Sequence, residues 1–246
     1  MWLRRVEHVN HSAISNARAD RAGSRFRDWA LLALAERDAA LPDILREIDV
    51  IETYRALHEY PLRKVAMGVR QMIQTEFGAA APRPAQRFKR MDRILSKLLR
   101  YPTTRLSQIE DIGGCRAVFD TVDQVYVVRN RILHRWPHAR VTDHIAKPKT
   151  DGYRSLHIIE KRDGRLIEVQ LRTTRQHRWA EMVEVWGART GHALKDDKGP
   201  AELLEYFAVA SDRLAREDHG EPADPLLEAR MAILRASVRP YFTAGS

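Results

Sequence analysis

The sequence predicts an α/β (α+β) fold, in which a mixed sheet is surrounded by many helices. Short segments at 115–119, 152–160 and 165–172 combine apolar or alternating patterns with a length typical of strands. The last two are separated by a turn that contains Asp163 and Gly164, which favours a β-hairpin. Amphipathic segments precede and follow these strands, so we expect helices to pack around the sheet.

Helices account for most of the remaining predicted structure. Residues 41–58 and 61–77 have helical periodicity, and Pro61 is compatible with the first turn of the second helix. Thr121 forms a capping box with Gln124 at the start of another helix. Further helices are predicted at 86–100, 173–188, 200–217 and 225–238, and the helix at 173–188 is amphipathic, with Trp179, Met182, Val183 and Trp186 on one stripe.

A Gly/Pro-containing linker at 78–86 separates a helical N-terminal region from the part that carries the polar motifs. We therefore expect an N-terminal helical region at 1–80, a core at 81–198 and C-terminal helices at 199–246. Apolar residues at helical spacing in the C-terminal helices are typical of core packing. A role of these helices in oligomerisation or inhibition remains open.

The composition is that of a globular protein without membrane-spanning helices. Apolar residues make up 44% of the chain and charged residues 30%, and the mean hydropathy is −0.47. No run of about 18 apolar residues occurs, and the first residues lack the apolar core of a secretion signal. The single cysteine, Cys115, excludes an internal disulfide. A cytoplasmic protein is therefore expected.

The chain is strongly basic, with a net charge of +9 and a pI of about 9.9. This charge favours polyanionic partners such as nucleotides, RNA or an anionic membrane surface. A solvated basic surface without a partner is equally compatible with it. The arginines that would suit an RNA partner lie near the N-terminus, at positions 4, 5, 18, 21, 25 and 27.

A basic segment and an acidic segment indicate a phosphate site. On the helix predicted at 86–100, Lys89, Arg93 and Lys97 stack at four-residue spacing, where like charges repel by about 0.2–0.5 kcal/mol per pair. A bound anion would offset this repulsion; a solvated basic face is the alternative. Asp111 precedes a Gly-Gly strand entrance and can hold Mg²⁺, which takes only one or two carboxylates, or it can simply cap a turn.

The two hairpin segments carry polar side chains in alternation, which on paired strands would form one polar surface. Exposure of this face to solvent is the simpler alternative. Lys147 and Lys149 supply positive charge for a phosphate, and Gly152 lets a ligand come close to the backbone. The next residue, Tyr153, offers a flat ring on which a base can stack. The polar residues of the two segments are Tyr153, Ser155, His157, Glu168, Gln170 and Arg172. Together they predict a nucleotide pocket, although neither a Walker A nor a GxGxxG sequence is present.

The helix that follows the hairpin presents three polar side chains on one face. His177 and Glu181 are four residues apart, as in an exposed ion pair, and Glu184 lies on the same face. These residues either form surface pairs or extend the polar site. A metal site is not indicated here, because no HExxH sequence or cysteine ligand set is present.

The sequence resembles the RelA/SpoT alarmone synthetase domain. The resemblance covers about residues 50–195 and rests on motifs in the family's order and approximate spacing: RFKRMDRILSKL, EDIGGCRAVF, DHIAKPKTDGYRSLH, IEVQLRT and RQHRWAE. It implies a nucleotidyltransferase-like synthetase fold with a mixed sheet of about five strands. The family usually has a serine at the position of Arg93 and a tyrosine at that of His144.

The resemblance implies Mg²⁺-dependent transfer of pyrophosphate from ATP to the 3′-hydroxyl of GDP or GTP. Asp111 and Glu168 are implied to be catalytic and to hold the metal. The residues assigned to ATP phosphates are Arg87, Lys89, Arg93, Lys97 and Arg116. Those assigned to the acceptor are Lys147, Lys149, Tyr153, His157, Gln170 and Arg172. His177, Ala180 and Glu181 match the motif of the following helix.

Two other functions remain open on the sequence. Some short members of the family resemble toxins that either pyrophosphorylate the 3′ end of tRNA or make adenosine alarmones. The basic charge of this chain would suit the tRNA acceptor. An inactive RNA-binding module is disfavoured, because Asp111, Tyr153 and Glu168 are all retained. A homo-oligomer or an antitoxin partner is also compatible with the sequence.

Overall fold

The structure is a computed structural model that describes residues 14–196 and 198–243. Its helices are α1 (Asn16–Ala30), α2 (Leu34–Ala56), α3 (Glu59–Phe77), α4 (Met91–Arg100), α5 (Val122–Arg135), α6 (Thr174–Thr190), α7 (Ala201–Asp218) and α8 (Pro225–Thr243). Its strands are β1 (Ala85–Phe88), β2 (Gly113–Phe119), β3 (Arg140–Asp143), β4 (Leu156–Arg162) and β5 (Arg165–Thr173). Short 3₁₀ helices lie at Leu106–Gln108 and Leu194–Asp196.

The five strands form one mixed sheet in the order β1-β2-β5-β4-β3, which confirms the predicted fold class. The β4–β5 hairpin is present and turns at Asp163 and Gly164, whose φ angles are 49° and 75°. Two consecutive residues with positive φ form the type I′ turn, which matches the twist of the flanking strands. The predicted capping box between Thr121 and Gln124 is also present at the start of α5.

The described chain divides into two compact units. Among the described residues, the first unit consists of 14–68, 86–115 and 159–168, and the second of 69–85, 116–158 and 169–243. Strands β1, β2, β4 and β5 and helix α3 each contribute residues to both units. The three-part division expected from the sequence stays a prediction.

Each unit has an apolar core of its own. In the first unit, α1, α2 and α4 pack together with the residues that precede β2, among them Phe26, Tyr54, Leu98 and Ile112. In the second unit, α6, α7 and α8 pack through Trp179, Phe207, Met231 and Val238, among others. Burial of these side chains is the main force that holds the helices in place.

Two sequence predictions are wrong in detail. The helix predicted at 86–100 begins only at Met91, because Ala85–Phe88 pair with the sheet as β1. The strand predicted from residue 152 begins at Leu156, because residues 149–153 form a turn that Gly152 permits with a φ of 87°. On the apolar stripe of α6, Trp179 and Val183 are buried, whereas Met182 is 39% exposed.

No helix in the described part of the chain has both the length and the apolar character needed to cross a bilayer.

Candidate functional site

The first unit holds a cluster of two lysines around one carboxylate, here called the lysine–aspartate cluster: Lys89, Lys97 and Asp111. Lys89 Nζ lies 2.5 Å from Asp111 Oδ2, and Lys97 Nζ lies 3.0 Å from Asp111 Oδ1. The backbone fixes the cluster, because the amide of Lys89 donates to the carbonyl of Ile112 at 2.9 Å. Each carboxylate oxygen therefore faces its own ammonium group.

The electrostatics of the cluster keep Asp111 ionised. Burial alone would raise the pKa of Asp111, but the positive charges of Lys97 and Lys89 and their hydrogen bonds outweigh burial and lower that pKa below its ordinary value. The side chain nevertheless remains 19% exposed. Asp111 is thus an ionised carboxylate that a ligand can still reach.

The cluster corrects one prediction about the basic segment. Lys89 is not part of helix α4, whose N-cap is Arg90, so Lys89, Arg93 and Lys97 do not stack on one helix face. Arg93 is exposed and lies beside Asp92, with 3.8 Å between its Nε and Oδ2. Arg87 is exposed on β1. The structure therefore brings Lys89 and Lys97 to Asp111 but leaves the other two cations at the surface.

Glu168 is a second carboxylate of the first unit, and it is buried on β5 with 7% of its surface exposed. Gly114 on the neighbouring strand permits a close approach, because a Cβ atom at this position would lie 3.0 Å from the carbonyl oxygen of Glu168. Burial, and next the negative charge of Glu168, raise the pKa of the Cys115 thiol to about 12. Cys115 is therefore protonated at neutral pH and is not a nucleophile.

The carboxylates of the first unit fit Mg²⁺ better than a transition metal. No group of three or more His, Cys, Asp or Glu suited to a metal occurs among residues 14–196 and 198–243. Mg²⁺ does not require such a group, because one or two carboxylates with phosphate and water oxygens suffice. The ionised Asp111 meets that requirement by itself.

The second unit holds a group of polar side chains around one aromatic ring, here called the tyrosine cluster: Tyr153, Ser155, His157, Gln170 and Arg172. The Tyr153 hydroxyl accepts a hydrogen bond from Arg172 and lies 2.7 Å from His157 Nε2. Arg172 also donates to Ser155 Oγ at 3.1 Å and to Gln170 Oε1 at 3.2 Å. The ring of Tyr153 is thus held in one orientation by its hydroxyl.

Cations and histidines surround the ring of Tyr153. Lys149 Nζ lies 5.0 Å from the ring centroid, and the guanidinium carbon of Arg172 lies 4.9 Å from it. His144 meets Tyr153 and His157 edge-on, with centroid distances of 5.8 and 5.4 Å. Burial, followed by the charges of His157 and Lys149, lowers the pKa of His144. His144 is therefore a neutral neighbour of the tyrosine cluster, although the sequence singled it out only as a departure from the family motif.

A relay of hydrogen bonds extends from the tyrosine cluster to helix α6. Arg116 Nε donates to Gln170 Oε1, and Arg116 Nη1 donates to His177 Nδ1, both at 3.4 Å. The other ring nitrogen, His177 Nε2, lies 3.3 Å from Glu181 Oε1. Burial comes first among the causes that lower the pKa of His177. A neutral His177 ring with its proton on Nε2 accepts from Arg116 at Nδ1 and donates to Glu181 at Nε2.

Two predicted residues lie apart from this relay. Glu184 pairs with Lys195 and not with His177. Lys147 is exposed, and its amide donates to the carbonyl of Asp143 at 3.2 Å.

Comparison with known proteins places these clusters in a family context. Residues 86–187 match a family model described as a region found in RelA / SpoT proteins. This range runs from the second residue of β1 through most of α6, and it therefore includes both clusters.

Curated relatives share part of the chain. The probable GTP diphosphokinase RSH3, chloroplastic, of Oryza sativa is 36% identical over 98 residues, which are 39% of this chain and 14% of that relative. A guanosine-3′,5′-bis(diphosphate) 3′-pyrophosphohydrolase of Aquifex aeolicus is 33% identical over 160 residues, which are 64% of this chain and 22% of the relative. The chain thus spans less than a quarter of the length of these relatives.

Solved structures share the fold. Small alarmone synthetase 2 of Bacillus subtilis has a TM-score of 0.56 at 23% identity, over 69% of this chain and 94% of that one. Small alarmone synthetase 1 of the same organism, bound to its product pppGpp, has a TM-score of 0.54 at 21% identity, over 76% and 97%. The family model, the shared fold and the motifs agree that residues 86–187 are similar to the region found in RelA / SpoT proteins.

Proposed function

We propose that this protein is a diphosphotransferase that moves the β- and γ-phosphoryl groups of ATP to the 3′-hydroxyl of GDP or GTP. The observation that carries the proposal is the lysine–aspartate cluster, in which an ionised, reachable carboxylate lies between two ammonium groups. The relatives named as GTP diphosphokinases and the pppGpp-bound small alarmone synthetase support this choice of substrates.

The reaction exchanges one phosphoanhydride bond for one phosphoester bond. The acceptor O3′ attacks the β-phosphorus of ATP, the bond from that phosphorus to the α–β bridging oxygen breaks, and AMP leaves with that oxygen. The hydroxyl proton passes to a base. Such transfers depend mainly on positioning and on cations that stabilise the phosphoryl charge.

The lysine–aspartate cluster is proposed to bind the triphosphate of ATP. In the absence of nucleotide, Lys89 and Lys97 neutralise Asp111. Phosphate oxygens would attract the two lysines, and Mg²⁺ held by Asp111 and Glu168 would replace their charge and stabilise the phosphoryl oxygens. Arg87, Arg93 and Arg116 are proposed to add positive charge to the same nucleotide.

Glu168 is proposed to accept the proton of the attacking hydroxyl. Its carboxylate is buried, and a fixed carboxylate near a reacting hydroxyl is an effective general base. Glu168 shares one face of β5 with Gln170 and Arg172, because alternate residues of a strand point to the same side.

The tyrosine cluster is proposed to bind the guanine nucleotide. The ring of Tyr153, held by Arg172 and His157, provides a flat surface on which a base can stack. Lys147 and Lys149 are exposed cations in the same loop and are suited to the acceptor's phosphates. His157, Gln170 and Arg172 complete the proposed acceptor side.

The RNA alternative loses part of its support in the structure. Arg18 and Arg25 both pair with Glu47, at 2.5 and 2.6 Å, and Arg27 donates to the carbonyl of Thr104. These arginines are therefore used within the fold. Arg21 is exposed, whereas positions 4 and 5 lie outside the described residues.

The test is an acceptor panel with γ-³²P-ATP and Mg²⁺, in which GDP, GTP, AMP, ADP, ATP and deacylated tRNA are offered separately. We expect label in a guanosine product, and no such product from Glu168→Gln, which keeps the shape of the side chain but removes the base. Label only on tRNA or on an adenine nucleotide would contradict the proposed acceptor. Undiminished transfer by Glu168→Gln would contradict the proposed base.

A further inference from the structure

We propose that helix α7 positions the acceptor loop, defined as residues 143–155, and that Ser211 and Asp212 are therefore positioning residues for acceptor binding. The inference rests on the proposed role of Tyr153 in the acceptor site. It assigns a function to α7, one of the C-terminal helices, which lies outside the sequence motifs that carry the proposed site.

The first observation is a direct contact between the loop backbone and α7. Gly152 has a φ of 87°, and a Cβ atom at this position would lie 2.9 Å from both Ala208 Cα and Ser211 Cβ. No side chain larger than hydrogen fits this contact without displacing the helix or the loop. In addition, the hydroxyl of Ser211, which is 4% exposed, donates to the carbonyl of Gly152.

The second observation is that Arg154 joins the loop to the same turn of α7. Its Nε donates to Ser211 Oγ at 3.2 Å, and its Nη2 donates to Asp212 Oδ1 at 2.7 Å. Its Nη1 reaches the carbonyl of Ile145 at 3.3 Å, near the start of the loop. One guanidinium group therefore connects two parts of the loop with the helix.

Tyr153 lies between these two attachment points in the sequence. Its amide donates to Asp151 Oδ1 at 2.8 Å, which continues the turn. Its ring meets Trp179 edge-on with 6.4 Å between centroids, and the indole of Trp179 donates to the carbonyl of Phe207 on α7 at 2.8 Å. The helix thus fixes the backbone on both sides of Tyr153 and also the aromatic residue next to its ring.

A positioning role predicts a kinetic effect that general stabilisation of the fold does not. If α7 only filled the core, weakening its contact with the loop would lower the amount of folded enzyme and leave the affinities for both substrates unchanged. If α7 positions the acceptor loop, the same change raises the KM of the acceptor and leaves the KM of ATP unchanged.

The test compares Ser211→Ala and Asp212→Asn with the control Glu205→Gln. The control lies on the same helix but pairs with Arg230 of α8, with 2.7 Å between Arg230 Nε and Glu205 Oε1. Ser211→Ala removes the hydrogen bonds to Arg154 and to the Gly152 carbonyl, and Asp212→Asn removes the negative charge that faces the Arg154 guanidinium. Each change is expected to raise the acceptor KM roughly three- to tenfold. The ATP KM should change less than about twofold, and the control should resemble the wild type.

Hydrogen exchange of the peptide that contains residues 145–155 provides a readout that does not depend on activity. The inference predicts faster exchange in Ser211→Ala and Asp212→Asn and unchanged exchange in Glu205→Gln. Unchanged exchange, or equal changes in the KM of both substrates, would overturn it. If the wild type forms no pyrophosphorylated product, the proposed function fails, and the exchange experiment still decides whether α7 positions this loop.

Discussion

Asp111 and Tyr153 are the residues on which the two clusters depend. Both could be named from the sequence, because a carboxylate before a Gly-Gly strand entrance and a tyrosine after a lysine loop are local patterns. Their partners could not all be named. The position of Lys89 depends on a short strand that precedes α4, and the approach of His144 to Tyr153 depends on how the loop folds back.

The two cations of helix α4 should contribute unequally. Lys97 pairs with Asp111 at 3.0 Å, whereas Arg93 is exposed and screened by solvent. We predict that Lys97→Ala raises the KM of ATP at least about tenfold and that Arg93→Ala raises it less than about threefold. Steady-state kinetics with varied ATP measures both. If both variants raise the KM of ATP equally, the idea that the cation in contact with Asp111 is the one that binds the ATP phosphates is contradicted.

The ring and the hydroxyl of Tyr153 should be separable. Tyr153→Phe keeps the stacking surface but loses the hydrogen bonds to Arg172 and His157, so we predict an acceptor KM a few-fold higher. Tyr153→Ala also loses stacking, which contributes about 1–3 kcal/mol per base, and should raise that KM more than tenfold. The comparison is made with acceptor varied at saturating ATP. A Phe variant as impaired as the Ala variant would contradict a stacking role.

At the scale of elements, helices and turns with a strong local sequence signal can be predicted from the sequence. A strand that is defined only by its pairing in the sheet cannot. The capping box of α5 and the Asp-Gly turn of the hairpin are local signals, and both are confirmed. Strand β1 has four residues and no buried face, so no apolar pattern marks it. Similarly, Ser211 meets the acceptor loop only because α7 packs on it, which no local pattern indicates.

The contact between β2 and β5 leaves little room for a side chain at Gly114. A Cβ atom there would lie 3.0 Å from the carbonyl oxygen of Glu168, so the strands must separate slightly in Gly114→Ala. We predict a loss of about 1–3 kcal/mol in the free energy of unfolding, together with a reduced kcat because Glu168 moves. Urea unfolding and steady-state kinetics measure the two effects. Wild-type values for both would contradict the tight packing of these strands.

At the scale of the whole molecule, the net charge of +9 is less informative than it first appears. Several arginines near the N-terminus neutralise Glu47 or bind backbone, so they hold the first unit together. Charge counted from the sequence does not separate these structural cations from those available to a ligand. The contacts of each side chain make this distinction, because Arg18 and Arg25 pair with the buried Glu47, whereas Lys89 and Lys97 surround the partly exposed Asp111.

The stability of the fold should depend on pH through His58. Burial lowers the pKa of His58 from 6.5 to about 4, and its Nδ1 lies 2.9 Å from the carbonyl of Tyr54. Below pH 6.5 the unfolded chain binds a proton that the folded chain excludes, so the free energy of unfolding decreases as the pH falls from 6.5 to 4. His58 should account for a loss of roughly 3 kcal/mol over this range.

Urea unfolding at pH 7.5 and pH 5 measures this dependence. His144 and His177, whose pKa values are also lowered, contribute in the same direction. Asp111 contributes only at lower pH, because the stability that it provides is lost as the pH falls through its own lowered pKa. The variant His58→Gln should have a clearly smaller difference between the two pH values than the wild type. An unchanged difference would contradict the role assigned to His58.

The central claim, pyrophosphate transfer to a 3′-hydroxyl, is tested most directly by product stoichiometry. ATP and Mg²⁺ are incubated with the protein and either GDP or 3′-deoxy-GDP, and all nucleotides are quantified by chromatography and mass spectrometry. The account predicts one AMP for each GDP that gains a pyrophosphoryl group, and no transfer to 3′-deoxy-GDP. Formation of ADP in place of AMP, or transfer to 3′-deoxy-GDP, would contradict it.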